Sequence, residues 1–184
     1  MQTTKEIGNE SRDALQERLS GLPEEASSRL LDYENKVQAC ESSVNKLSKL
    51  FVDGHTTYGD KFLDLGSLPD CIQAVTAAYS YTTQLWGKVR GEAEAHESTR
   101  RFIENISHWK VKSYANKKSG QDMKLTQKDV ESIAAGKNAN YYVLEREWGM
   151  LYSRINACKD VLDTHLKSLD LLWKTGRTEW SATR

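Results

Sequence analysis

Residues 141–172 read YYVLEREWGMLYSRINACKDVLDTHLKSLDLL, and this stretch decides the fold. Tyr141, Leu144, Trp148, Leu151, Ile155, Cys158, Leu162, His165, Leu169 and Leu172 recur at alternating steps of three and four. On a helix that spacing keeps every one of these side chains on one seam, the pattern of helices packed lengthwise on other helices. Two further segments carry the same rhythm. One runs through Leu30, Tyr33, Val37, Cys40, Val44, Leu47 and Phe51. The other runs through Ile72, Val75, Tyr79, Thr82, Trp86, Val89, Ala93 and His96. No segment alternates with period two, as a half-buried strand would. The chain is therefore predicted to be all-α, with long amphipathic helices in a helical bundle or coiled-coil arrangement that oligomerises.

Local chemistry places the helix ends. Leu22-Pro23-Glu24-Glu25 starts the first helix, with proline and acids in its opening turn. The stretch from Gly54 to Gly66, which also holds Gly59, separates it from the second. Ser67 can cap that second helix, which is expected to reach about Ala115 and to be weakened locally at Gly87 and Gly91. Asn116 to Lys124 is a polar turn. Thr126-Gln127-Lys128-Asp129 has the form of an N-cap opening a short helix that Gly136 is expected to end. Asn138 or Asn140 restarts the last long helix, and Gly176 is placed to stop it. Residues 1–60 carry a slight acidic excess and are expected to form a separate helical N-terminal extension, with residues 61–184 as the functional region.

The composition narrows the function. The chain has 184 residues, of which 28% are charged, and two prolines, a number that permits long unbroken helices. No apolar run approaches the roughly 18–20 residues of a membrane span. The segment MQTTKEIGNESRD lacks the apolar core of a signal peptide, so a cytoplasmic protein is expected, in the host cell if phage-encoded. Cys40, Cys71 and Cys158 form no CxxC pair, and Cys40 and Cys158 fall on the apolar seams, where a thiol acts as a small hydrophobe.

Charge is distributed unevenly. The whole chain is formally neutral, yet Arg100 to Lys128 (RRFIENISHWKVKSYANKKSGQDMKLTQK) holds eight Lys/Arg against Glu104 and Asp122. Arg100, Arg101, Lys110, Lys112, Lys117, Lys118 and Lys124 are the cations of interest, and Trp109 and Tyr114 lie among them. A cationic track interleaved with aromatics suits a flexible polyanion with exposed bases. A basic face for a protein partner and an ordinary solvated helix face fit the same composition. Lys110 and Lys112 stand about 200° apart on a regular helix and converge only if the helix frays. Trp86 and Trp148 sit on seams and are expected in the core. Trp109 and Trp180 are the candidates for exposure, although Trp109 also suits packing against the last helix.

Nothing points to catalysis. His55, His96, His108 and His165 form neither HxxxH nor HExxH, and no phosphate loop, GxGxxG or GxSxG occurs. His96 and His165 lie on apolar seams, as packed histidines do. No metal, cofactor or enzymatic activity is expected.

The residues around the basic segment resemble the UvsY-like phage recombination mediators. His108-Trp109-Lys110-Val111-Lys112-Ser113-Tyr114, followed by Lys118-Ser119-Gly120, is similar to that family's basic Lys-x-Arg/Lys segment with aromatics and a Ser-Gly turn. Met123 to Ala135 (MKLTQKDVESIAA) resembles its next short helix. Glu147-Trp148-Gly149-Met150-Leu151, with Cys158 beyond, resembles the start of its C-terminal helix. The resemblance covers about residues 75–175. It implies a non-enzymatic protein that binds single-stranded DNA, closes into a hexameric or heptameric ring, and helps a recombinase displace single-strand binding protein. It maps DNA contact onto Lys110 and Lys112, and oligomerisation onto Trp148, Leu151, Ile155, Cys158, Leu162, Leu169 and Leu172. Two departures stand out. One is an N-terminal extension of roughly 60–70 residues. The other is Lys112 where the family pattern has Arg; lysine lacks arginine's fork but still contacts phosphate. The competing expectation is a helical scaffold that binds protein partners through its seams and has no affinity for DNA.

Overall fold

Acids in the opening turn and a continuous apolar seam carry the first helix, α1 (Glu24–Thr56), through Gly54. The structure is a computed structural model that describes residues 19, 22–56, 68–118, 126–137 and 139–182. Side chains at 50–56, 68, 114–118, 127, 130, 134–135, 137 and 175–182 lie outside the description. Helix α2 is Leu68–Lys118, α3 is Gln127–Lys137 and α4 is Ala139–Ala182. The described residues are almost entirely helical and include no strand, so the chain is all-α.

The capping expectation at Thr126 is met in detail. The Thr126 Oγ1 accepts from the Asp129 amide at 3.3 Å, and an Asp129 carboxylate oxygen accepts from the Thr126 amide at 3.0 Å. This reciprocal pair satisfies two donors at the start of α3. Helix α1 ends within the Gly54–Gly66 stretch, at Thr56, and α3 ends one residue past Gly136, at Lys137, as expected. The stop at Gly176 is not used, and α4 runs on to Ala182. A helical glycine costs about 1 kcal/mol, too little by itself to end a helix. Helix α2 likewise passes Gly87 and Gly91, where an added Cβ would meet open space. Ser67, Asn138, and the Gly59 and Gly66 region lie outside the described residues.

The chain forms two compact units. Tyr33–Arg90 with Leu151–Arg184 make one, and Met1–Asp32 with Gly91–Met150 make the other. Within the first of these units α1 packs with α2 and α4, while residues 57–67, around the boundary expected at residue 60, lie outside the described residues.

In the first unit three helical stretches surround one core. Val37, Cys40 and Val44 of α1, Val75, Thr82, Leu85 and Val89 of α2, and Leu151, Ile155, Cys158, Leu162 and Leu169 of α4 are buried. Glu34 and Glu41 meet Arg154, and Ser48 meets His165, so α1 and α4 run parallel. Trp86 meets Asn156 and Tyr79 faces Lys167, so α2 runs antiparallel to α4. Burial pushes the Cys158 thiol up to about 11 and raises that of Cys40, which keeps both as neutral core groups. The Arg154 guanidinium is clamped: Nε and Nη2 donate to Glu41 at 2.8 and 2.7 Å, and Nη1 donates to Glu34 at 2.7 Å. Hydrogen bonds to Glu41 first, then to Glu34, outweigh desolvation and hold its pKa above the ordinary arginine value.

In the second unit Leu19, Leu30, Leu144 and Trp148 are buried. The Trp148 ring stacks on His96 at 5.8 Å between centroids. Arg29 pairs with Glu92, and Arg100 pairs with Glu145, which ties α2 to its neighbours.

Candidate nucleic-acid interface

The basic segment opens on α2, and that helix stays regular through Lys118. No fraying occurs to bring Lys110 and Lys112 together. They occupy opposite flanks of the helix, both exposed.

Between those flanks lies a stripe that is apolar. Phe102 is 65% exposed, Ile106 37% and Trp109 70%. Their spacing of four and then three residues puts them within roughly a 60° arc of the helix circumference. Ile103, Ser107 and Val111 on the other side of α2 are half-buried, so the inward face is supplied by different residues.

The electrostatics of this face follow from where each charge is spent. Arg100 is turned inward and held: it donates to Glu104 at 2.6 Å, pairs with Glu145 and lies over the Tyr142 ring at 5.1 Å. Burial works against its charge, but its hydrogen bonds to Glu145 and Tyr142 more than offset this and hold its pKa above the ordinary value. Arg100 is thus a fastener between α2 and α4, its charge already engaged within the chain. Arg101 is exposed and pairs with Glu97 one turn earlier, a surface pair worth little and easily exchanged. Among the described residues the ion pairs of this stretch involve neither Lys110 nor Lys112. The exposed residues from Ser98 to Lys112 therefore present Arg101, Lys110 and Lys112 and no carboxylate. Glu104, the acid within that span, is engaged by Arg100.

Tyr114, Lys117 and Lys118 belong to the last turns of α2, with side chains outside the described residues; Lys124 lies outside them altogether. Asp129 follows on α3, where the Thr126 hydroxyl and amide hold its carboxyl below the usual range.

The seam assigned to oligomerisation is occupied within the chain. Trp148, Leu151, Ile155, Cys158, Leu162 and Leu169 are each at most 6% exposed. Leu172 alone of that set is open, at 38%, beside the exposed Leu171 and Trp173. Trp86 is half-buried. Its Nε1 donates to Asn156 at 3.0 Å, and Arg90 and Lys159 each lie 5.4 Å from its ring centroid.

Charge and motif alone do not single out Phe102 and Ile106, but the sequence carries a signal for them. The α2 seam continues past His96 through Ile103, Ser107 and Val111, and a second stripe of i, i+4, i+7 spacing begins about 120° from that seam at Phe102. Among the described residues no group of acids, histidines and cysteines could hold a metal, and no helix is long and apolar enough to cross a membrane. No protein-family model, curated protein or solved structure matches the chain.

Proposed function

We propose that this protein binds single-stranded DNA on the outer face of α2 and acts, without enzymatic activity, as a recombination mediator of the UvsY-like kind. It would help a recombinase load onto strands covered by single-strand binding protein. The observation that carries the reading is the exposed face from Ser98 to Lys112, where Lys110 and Lys112, in no ion pair among the described residues, flank an open tryptophan, and Arg101 adds a cation held only by a surface pair with Glu97. Phosphates take the cations, and unpaired bases take the aromatic surface. One such face binds weakly. Assembly of several copies on one strand raises the effective concentration of each. Since the α4 seam is buried in the chain, the proposed assembly uses the exposed Leu171, Leu172 and Trp173.

Titration of a fluorescent oligo-dT at two salt concentrations, with light-scattering mass recorded in parallel, tests this. Salt-dependent binding by a large oligomer is expected. Lys110→Ala with Lys112→Ala should weaken binding and lower the salt slope by roughly 1.4, about 0.7 for each phosphate no longer neutralised. Absence of binding at low salt, in a small oligomer, would overturn the reading in favour of a helical scaffold.

A further inference from the structure

We propose that Phe102, Ile106 and Trp109 form a base-stacking stripe, so that a single strand lies along the axis of α2 with its bases against the helix. The inference rests on the single-strand reading above and goes further: it assigns the interaction to the bases rather than to phosphates alone.

Exposure is the first ground. Phe102 and Trp109 show two-thirds of their surface to solvent, and Ile106 more than a third. The fold does not need them there, because the inward side of this stretch is filled by Ile103, Ser107, Val111 and the fastened Arg100. An unpartnered apolar stripe requires an occupant, and the charges beside it say which. Arg101, Asn105 and Lys112 are all exposed and line one flank, at roughly 70–110° from the centre of the stripe. Lys110 lies on the other flank. A purely apolar helix would leave Lys110 and Lys112 without a partner, since among the described residues Arg101 alone of these cations is paired, with Glu97. A purely anionic surface would leave the aromatics in water. A single-stranded polynucleotide satisfies both, with its backbone tracking the Arg101–Asn105–Lys112 row and its bases over Phe102, Ile106 and Trp109. A duplex cannot use the stripe, because its base faces are already stacked.

The spacing is compatible. Phe102 and Trp109 are about 10.5 Å apart along the helix axis, at 1.5 Å per residue. Bases at the roughly 3.4 Å interval of a stacked strand cover that length in about three steps, and a stretched strand covers it in fewer. The two aromatic rings thus take non-adjacent bases, and Ile106 supports what lies between.

The test compares two oligonucleotides of equal length and charge: oligo-dT, and its abasic counterpart, which keeps the phosphates and lacks the bases. Full-length protein should prefer oligo-dT by about tenfold or more, the scale of one base–aromatic stack. Trp109→Ala and Phe102→Ala should each remove most of that preference and leave the abasic affinity within about twofold of the parent. Trp109→Phe, which keeps a ring, should retain it, and this variant with the parent decides the matter if an alanine variant fails to fold. Equal affinity of the parent for both oligonucleotides would overturn the stacking assignment while leaving the single-strand reading intact. Failure to bind either at low salt would overturn that reading as well. Sedimentation with phosphatidylserine vesicles that oligo-dT does not compete away would assign the stripe to a lipid surface instead.

Discussion

Helix α2 uses large apolar residues in opposite ways at its two ends. Toward its start, Val75, Leu85 and Val89 are buried, with Thr82 among them. In its later part, Phe102, Ile106 and Trp109 stand in solvent. The charges differ in the same sense. Beside the buried stretch, Arg154 is held by Glu34 and Glu41, and Arg90 and Lys159 cover the Trp86 ring. Beside the exposed stretch, Lys110 and Lys112 join no ion pair among the described residues. An apolar residue that serves the fold is surrounded by charges already satisfied within the chain. On the proposed reading, the exposed stripe is the apolar surface offered to a ligand, and Lys110 and Lys112 beside it keep their charge for that ligand.

Trp148 puts that distinction to its hardest test. It is 1% exposed and stacks on His96, so Trp148→Ala should cost about 3–5 kcal/mol in urea unfolding, the cost of a large core cavity. A loss under about 1 kcal/mol would mean that this core collapses around the gap and that burial is a poor guide to what holds the unit. Next in size is the Arg154 clamp. Arg154→Ala strands Glu34 and Glu41 and should cost about 1.5–3 kcal/mol, below the figure for a fully buried pair because the arginine side chain is 36% exposed. Arg154→Met with Glu34→Gln and Glu41→Gln should recover part of the loss, since it removes the stranded charges along with their partner.

Much of this is legible in the sequence, for a physical reason. Seams at three- and four-residue spacing report burial directly, and from Leu144 to Leu169 the anticipated positions are buried except His165, which is half-buried against Ser48. The Thr126 cap is legible because a capping box is local. What a helix packs against is not local. The α4 seam reads equally well as an oligomer interface or as an intrachain core, and only the placement of α1 and α2 against it decides for the core. The partners of Arg154 are more than a hundred positions away in sequence. Composition groups Arg100 with the phosphate-binding cations because it counts charges without saying which are already paired. The stop at Gly176 fails because helix termination depends on a backbone turn that a glycine permits but does not impose.

A smaller effect separates the two uses of aromatic surface through pH. Desolvation lowers the pKa of His96 below the ordinary 6.5, with Glu92 opposing and Arg29 adding to the shift; desolvation also lowers that of His165, which Ser48 contacts at 2.9 Å. A depressed folded-state pKa means that the unfolded chain takes up the proton first. Stability is therefore fully present above about pH 6.5 and declines as pH falls from there through the folded-state values. The urea midpoint should be lower at about pH 5.5 than at about pH 7.5, and His96→Gln with His165→Gln should flatten that dependence. A dependence unchanged in the double variant would assign it to carboxylates and not to the histidines packed on the seams.

The smallest expected stability change carries the most weight for function. Phe102→Asn replaces a ring that is 65% exposed by a side chain with better helix-surface solvation and slightly poorer helix propensity. Its effect on unfolding should stay within about 0.5 kcal/mol, the range of surface substitutions that touch no buried feature. A cost near that of Trp148→Ala would show that Phe102 is covered in the folded protein in solution, and the stripe would then be core rather than an open face for bases. Near-neutral stability leaves Phe102 exposed at no benefit to folding. Near-neutral stability together with loss of the preference for oligo-dT over its abasic counterpart would assign the ring to binding, because an exposed ring that does not stabilise the chain contributes free energy only when something stacks on it.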